Sequence, residues 1–361
     1  MNRAIIGRNT LKGRGALSNP AGRFDRTGLE AFDDGWYREE APDSVATSVQ
    51  PDRARGVITT NDSPDIGFEH SINPYRGCEH GCIYCYARPS HAYMGLSSGL
   101  DFETKLFYKA DVRAVLETEL AKPRYVCKPI MLGSNTDPYQ PIERRLEVTR
   151  TILTVLAAAR HPVSIVTKGV LIARDIDILA DMARANLASV AISLTTLDAD
   201  TKRTLEPRAA APQARLKVMR ALADAGVPVG VMVAPIVPAI TDHEIERILE
   251  AAAAAGARSA AYVLLRLPYE VKDLFKEWLA QHYPQRAEHV MSLVRDARNG
   301  RENDPNFGSR MRGTGPYAEL IRARFKVACR RLGLDSVRDR PLDTTRFRPP
   351  GAASSQLQLE L

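Results

Sequence analysis

The chain has 361 residues, 44% hydrophobic and 26% charged, with a net charge of +7. This balance excludes a disordered or collagen-like chain and allows one large domain or two smaller ones with a true core. Residues 1–11 carry arginines but no long apolar run, and the longest apolar stretch, 229–240, holds two prolines. Neither reads as a signal peptide or a membrane span, so the expectation is a cytoplasmic protein with no membrane association.

Residues 1–65 are rich in Gly, Pro, Asp, Arg and Ser and lack sustained periodicity, which predicts a mostly irregular arm. Trp36 and Tyr37 within it are costly to leave exposed and are expected to pack on the body. From 66 to 268 short β-branched runs alternate with helical patterns. The expected strands are 71–75, 129–132, 163–167, 189–194, 229–233 and 260–265, and near-continuous apolar runs of this kind suit a covered parallel sheet. Between them fall helices at 111–122, 143–160, 175–186 and 214–225, the last closed by Gly226. Another is capped by Thr241 or Asp242 and closed by Gly256. Six such units predict an α/β fold, either an open doubly wound sheet or a partial (β/α)6 TIM-type barrel. In both, chemistry sits at the C-terminal strand ends. Residues 269–340 read as a helical extension with helices at 271–282, 285–298 and 316–332, and 341–361 as a loose tail.

Three of the five cysteines, Cys78, Cys82 and Cys85, stand at C-x3-C-x2-C spacing on the loop after the first barrel strand. Four thiolates would close a metal site, whereas three can hold three irons of a [4Fe–4S] cluster and leave one iron open to a small ligand. A Cys3His zinc site completed by His80 or His91 is a rival. A closed structural cluster that recruits Cys127 or Cys329 is another.

The aromatic residue before the third cysteine, Tyr84, makes the stretch resemble the signature of the radical S-adenosylmethionine (SAM) superfamily. The segments 71–89 and 136–143 resemble one branch of it, the bacterial proteins grouped with spore photoproduct lyase. The resemblance covers about 71–267 and implies the partial barrel. It implies that Cys78, Cys82 and Cys85 bind a [4Fe–4S] cluster and that SAM chelates the fourth iron. An electron, from a donor such as flavodoxin or ferredoxin, then cleaves SAM to a 5′-deoxyadenosyl radical. By the same resemblance Ser134, Asn135, Thr136 and Asp137 occupy the segment that meets the SAM amino group. Lys168, Ser193, Arg208 and Arg215 are candidates for the carboxylate or ribose, and Pro235 lies where the adenine packs. Each also has a plainer reading as a turn, a solvated lysine, an internal ion pair or barrel core.

Tyr84 and Tyr86 match the photoproduct lyase pattern, in which tyrosines relay a radical. Ser134, however, stands where that family's hydrogen-donating cysteine is expected, and a hydroxyl is a poor hydrogen donor. The photoproduct reaction is therefore not expected to run here in the same way. Cys127 lies before the second strand, at its N-terminal end. Between 295 and 350 there are 14 Lys and Arg against 7 Asp and Glu. With Arg310, Arg312, Arg322, Arg324, Arg330 and Arg331, this fits a nucleic-acid substrate or simply a solubilising surface. The remaining function classes are a radical enzyme on nucleic acid, a radical enzyme on a protein or small molecule, and a zinc-stabilised binding protein. Tyr262 and Arg266 are expected at the substrate end of the barrel.

Overall fold

The structure is a computed structural model describing residues 12–25, 45–334 and 341–351; Trp36 and Tyr37 lie outside the described residues. The regular elements run β1 (Ser48–Asp52), β2 (Ile58–Thr60), β3 (His70–Ile72), β4 (Tyr75–Arg76), α1 (Leu100–Thr104), β5 (Lys105–Lys109) and α2 (Val112–Leu120). They continue with β6 (Ile130–Leu132), α3 (Glu143–Leu146), α4 (Val148–Ala158), β7 (Val163–Thr167), α5 (Ile176–Arg184), β8 (Ala188–Ser193), α6 (Ala199–Leu205) and α7 (Pro212–Asp224). The last are β9 (Val229–Ile236), α8 (Ile245–Ala254), β10 (Ser259–Leu264), α9 (Val271–His282), α10 (Ala287–Asp296) and α11 (Gly315–Leu332).

The main sheet has the order β10-β9-β8-β7-β6-β3-β2. Every pair from β3 to β10 is parallel, and β2 adds antiparallel at the edge. Six parallel strands in sequence order, each followed by helical chain, make the partial (β/α)6 barrel with a helical C-terminal extension. The strands hold because branched side chains at alternate positions fill the face packed against the helices. Val163, Ile165, Val190, Ile192, Val231 and Val233 are all buried, and full burial of each such side chain stabilises by about 1.5–3 kcal/mol.

Four local expectations change. The first barrel strand ends at Ile72, because Pro74 breaks it; the chain rejoins at β4, in a separate small sheet ordered β1-β5-β4. Residues 1–65 are less irregular than their composition suggests, since β1 and β2 lie in them as short, largely exposed edge strands. The helix expected over 143–160 is two helices, broken at Glu147, whose φ is 51°. The break is compensated by Glu143, whose buried carboxylate accepts from Thr149 N at 3.0 Å and Arg150 N at 3.3 Å, so it caps α4 from within α3. The described part of the tail, 341–351, is docked. Asp343 N and Arg348 N bond to the carbonyls of Asn186 and Ala159, and Phe347 packs on Tyr125 and His161.

The extension covers two different surfaces. Phe275 and Trp278 of α9 join one apolar cluster with Cys82, Ile83, Tyr84 and Leu205, and Trp278 Nε1 donates to Thr204 O at 3.1 Å. Thus α9 backs the cysteine loop. Helix α11 instead lies against α8, where Arg324 pairs with Glu246 and Arg331 with Glu250.

Candidate functional site

The cysteine loop begins where β4 ends. Two glycines let it turn. Gly77 has φ +77°, and a side chain there would place Cβ 2.8 Å from Phe102 O; Gly81 has φ +67°, with Cβ 2.8 Å from a Glu103 oxygen. Backbone bonds from Cys78 N to Phe102 O (3.0 Å) and from Ile83 N to Leu205 O (3.2 Å) stitch the loop to its neighbours.

Buried polar groups fix it from three sides. Arg88, with no exposed surface, donates to Cys82 O at 2.9 Å and pairs with the equally buried Glu103. Glu103 also accepts from Gly15 N and Ala16 N, which draws residues 14–16 across the loop. On the opposite side Gln140 accepts from Glu79 N at 2.8 Å and donates to Gly77 O at 3.2 Å, and Thr136 Oγ1 donates to Gly77 O at 2.7 Å. Arg76 pairs with Asp52, and Glu79 takes Arg208 at 3.1 Å.

The thiols of Cys78, Cys82 and Cys85 form no disulfide. Burial raises the Cys78 thiol, helped by the charge of Asp137; burial and Glu206 push Cys82 up to about 12. Metal binding here must therefore displace protons. Of the two histidines considered for a zinc site, His80 places Nδ1 3.3 Å from Asp137 Oδ2, and His91 places Nε2 3.0 Å from Lys105 O while its buried Nδ1 has no hydrogen-bond partner among the described residues. Among the described residues no three His, Cys, Asp or Glu side chains close on a single ion position. A [4Fe–4S] cluster takes each sulfur on a different iron, and three thiolates without a fourth fit such a cluster.

The other expected residues fall into three groups. Asp137 is a tie between strands: it accepts from Tyr139 N, Thr167 Oγ1 and Lys168 N, at 2.6 to 2.8 Å, and faces His80. Burial opposes its ionisation, but His80 and these donors hold it well below the usual carboxylate range. With Thr136 bonded to Gly77 O, both side chains are committed to the loop. Ser134 exchanges hydrogen bonds with Asn73, its carbonyl accepts from Tyr86 Oη, and the Asn135 side chain is exposed beside it.

A second group lies against Cys82. Tyr84 Oη donates to Glu206, which Arg215 also pairs and Thr195 Oγ1 contacts at 2.7 Å. Arg215 further donates to Ser193 O and Ala210 O, both at 2.9 Å, so its guanidinium is engaged within the fold. Burial would raise the Glu206 carboxyl, but Arg215 and Lys168 hold it at about 2. The Ser193 hydroxyl donates to Ala234 O at 3.2 Å, and Pro235 is buried at the following peptide. Lys168 differs from its neighbours. Its ammonium lies 5.7 Å from the Tyr84 ring centre and has no hydrogen-bond partner among the described residues. Burial works against its charge, yet Glu206 and Cys82 outweigh this and raise its pKa.

The third group is at the rim. Tyr86 is half exposed, and Arg266 sits 5.8 Å from its ring centre. Tyr262, expected beside Arg266, instead points outward, its ring 4.7 Å from Phe325 of α11. Sequence reasoning missed Asn73, Arg88, Glu103, Gln140, Thr195 and Glu206. Asn73, Arg88 and Gln140 stood in segments already singled out, but nothing in their spacing announced a buried partner.

The radical SAM superfamily matches residues 72–252, half of the chain. An uncharacterised protein of Mycobacterium tuberculosis is 40% identical over 232 residues, spanning 64% of this chain and 68% of that protein. One from Methanocaldococcus jannaschii is 26% identical over 224 residues, spanning 62% and 80%. Among solved structures, spore photoproduct lyase complexed with dinucleoside spore photoproduct aligns with a TM-score of 0.57 at 15% identity, covering 79% of each chain. A single-substitution variant of that lyase aligns with a TM-score of 0.56 at 15% identity, covering 79% of this chain and 78% of the other. At that identity these two likenesses speak for the fold.

Proposed function

Because the chain belongs to the radical SAM superfamily, and is thus an enzyme that uses a [4Fe–4S] cluster, SAM and an external reductant, we propose that Cys78, Cys82 and Cys85 hold the cluster and that Lys168 receives the carboxylate of SAM. Together the two cofactors supply a 5′-deoxyadenosyl radical, which takes a hydrogen atom from the substrate. The residues around them aim and shelter that event. The observation that carries the reading is Lys168, a charged ammonium held beside Cys82 and Tyr84 without a hydrogen-bond partner of its own. A half-buried cation with no counter-ion bonded to it has lost part of its hydration, and a carboxylate ligand would offset the cost. Backbone carbonyls of 134–137 are the acceptors offered to the SAM amino group, since the Thr136 and Asp137 side chains are occupied. Pro235 offers the adenine an apolar wall, Ser193 lies near it, and Arg208 and Arg215 shape the site through Glu79 and Glu206.

The substrate proposed is nucleic acid, as in a repair or modification step, and the reductant a flavodoxin or ferredoxin. Ser134 in place of a cysteine argues against the photoproduct reaction. A protein or small-molecule substrate is the second reading, favoured by one fact: Arg310, Arg324 and Arg331 of the basic region are spent on internal carboxylates. The test is 5′-deoxyadenosine formation by anaerobically reconstituted protein under dithionite. The wild type should form it, Cys82→Ala should not, and Lys168→Ala should raise the KM for SAM about tenfold, as loss of a charged hydrogen bond does. A wild type with a full cluster that forms none, with or without added oligonucleotide, overturns the reading.

A further inference from the structure

The tyrosines flanking Cys85 each have a cation over the ring: Lys168 over Tyr84, and Arg266 over Tyr86. Lys168 faces the interior and is accounted for by SAM. Arg266 lies two residues past the end of β10, at the C-terminal rim. Its Nε is sealed from solvent and makes no hydrogen bond, and its one polar contact among the described residues is Nη1 to the weak acceptor Met311 Sδ, at 3.5 Å. No carboxylate pairs with it among the described residues. Asp65 is taken by Arg310, and Asp304 by Ser309 Oγ and Asn306 N. Arg298 and Arg310 are near enough to repel it. A guanidinium in this state has lost much of its hydration without a counter-ion, a costly arrangement unless a ligand brings the negative charge.

The surroundings suggest which anion. Beside Arg266 lie half-exposed Tyr86 and the 305–312 loop. In that loop Phe307 is 57% exposed with Arg310 4.6 Å from its ring centre, and Arg312, which has no carboxylate partner among the described residues, lies 4.4 Å from the centre of the buried Tyr262 ring. Tyr269, three residues beyond Arg266, is 64% exposed. Exposed ring faces interleaved with arginines are what unpaired bases and their phosphates bind. A carboxylate peptide has no use for the rings.

Deepening the nucleic-acid reading above, on which it rests, we propose that Arg266 is the anchor for a backbone phosphate of single-stranded nucleic acid, with Tyr86 and Phe307 offering ring faces to the adjoining bases. The guanidinium presents its fork to two phosphate oxygens, which sets the strand at the mouth above Cys85.

The experiment is anisotropy of fluorescein-labelled dT12 on reconstituted protein across a salt series. Wild type should bind. Arg266→Ala should weaken binding about tenfold or more and lower the salt slope by about 1. Arg266→Lys should recover part of the affinity. A methylphosphonate-linked dT12, which lacks the backbone charge, should bind wild type and Arg266→Ala alike. Iron content and circular dichroism should be unchanged in the variants, which separates a lost contact from a lost fold. No binding of dT12, equal affinity for wild type and Arg266→Ala, or a loss found only in Arg322→Ala/Arg330→Ala on the exposed face of α11 overturns the proposal. So does Arg266-dependent binding of a polyglutamate peptide in place of dT12. Formation of 5′-deoxyadenosine by the wild type without dT12 is read separately, so failure of the phosphate anchor leaves the radical reading standing.

Discussion

Glu206 shows how much of this site rests on one buried carboxylate. It receives Tyr84, Thr195 and Arg215, and its charge does most among the neighbouring carboxylates and thiols to favour the protonated form of Lys168. Replacing it by Gln leaves Arg215 buried without a counter-charge, and one-sided loss of a buried ion pair costs about 3–5 kcal/mol. A urea titration at neutral pH should read that loss. The pH dependence has a definite sign. The carboxyl is depressed to about 2 in the folded protein, so its stabilisation is complete above the ordinary carboxylate range, near 4.5. It drains away as pH falls from there through about 2. Wild type should therefore lose stability over that window, and Glu206→Gln should lose correspondingly less; parallel curves would remove Glu206 from the account.

At the level of elements, the chain is joined by carboxylates that reach across strand ends. Glu143 caps α4, accepts from buried Tyr75 Oη, and pairs with Arg174, so one side chain ties β4, α3, α4 and the turn before α5. Glu143→Ala should cost about 2–4 kcal/mol, since it removes a cap and leaves a buried hydroxyl unsatisfied. Hydrogen exchange should show the loss concentrated in 143–158; a loss below about 1 kcal/mol would mean that solvent replaces these bonds. The same construction explains the helix break. Apolar periodicity runs straight through Glu147 and predicts one helix, because Leu146, Leu153 and Leu156 share a face either way. The interruption is decided by a carboxylate partnering amides outside its own turn, which periodicity does not register.

On the scale of the molecule, the sheet is open, with β2 at one edge and β10 at the other. Asp65, past β2, receives Arg310 Nε at 2.7 Å and a second guanidinium bond, and the 310–312 loop pairs with the β10 edge through Leu264 N and Met311 O at 2.9 Å. An ion pair thus spans the gap between the two edges. Buried Arg298 holds that loop by donating to the carbonyls of Leu264, Leu265, Ser309 and Arg310. Asp65→Asn should leave the barrel folded, lower stability by about 1–3 kcal/mol because a part-buried guanidinium loses its charged acceptor, and speed amide exchange in 303–314. Unchanged exchange there would show that Arg298 alone retains the loop. No helix among the described residues is long and apolar enough to cross a membrane.

Local chemistry by itself determined the six parallel barrel strands, the order of the βα units, the three-thiol loop and its place at the catalytic end. Each of these is written in short-range periodicity and spacing, which did not announce the short strands β1, β2, β4 and β5. The resemblance of the cysteine loop added Lys168 and Tyr86, and the position just past the last strand added Arg266. What only the tertiary structure decided is which charges are used up. Arg215, Arg208 and Asp137 are satisfied within the fold, whereas Lys168 and Arg266 are not. Arg324 and Arg331, part of the basic surface, turn out to neutralise α8. A residue type and its neighbours in sequence say what a side chain can do. Whether it is free to do it depends on partners dozens of residues away, such as Glu206 for Tyr84 or Asp65 for Arg310, and these meet only when the barrel closes.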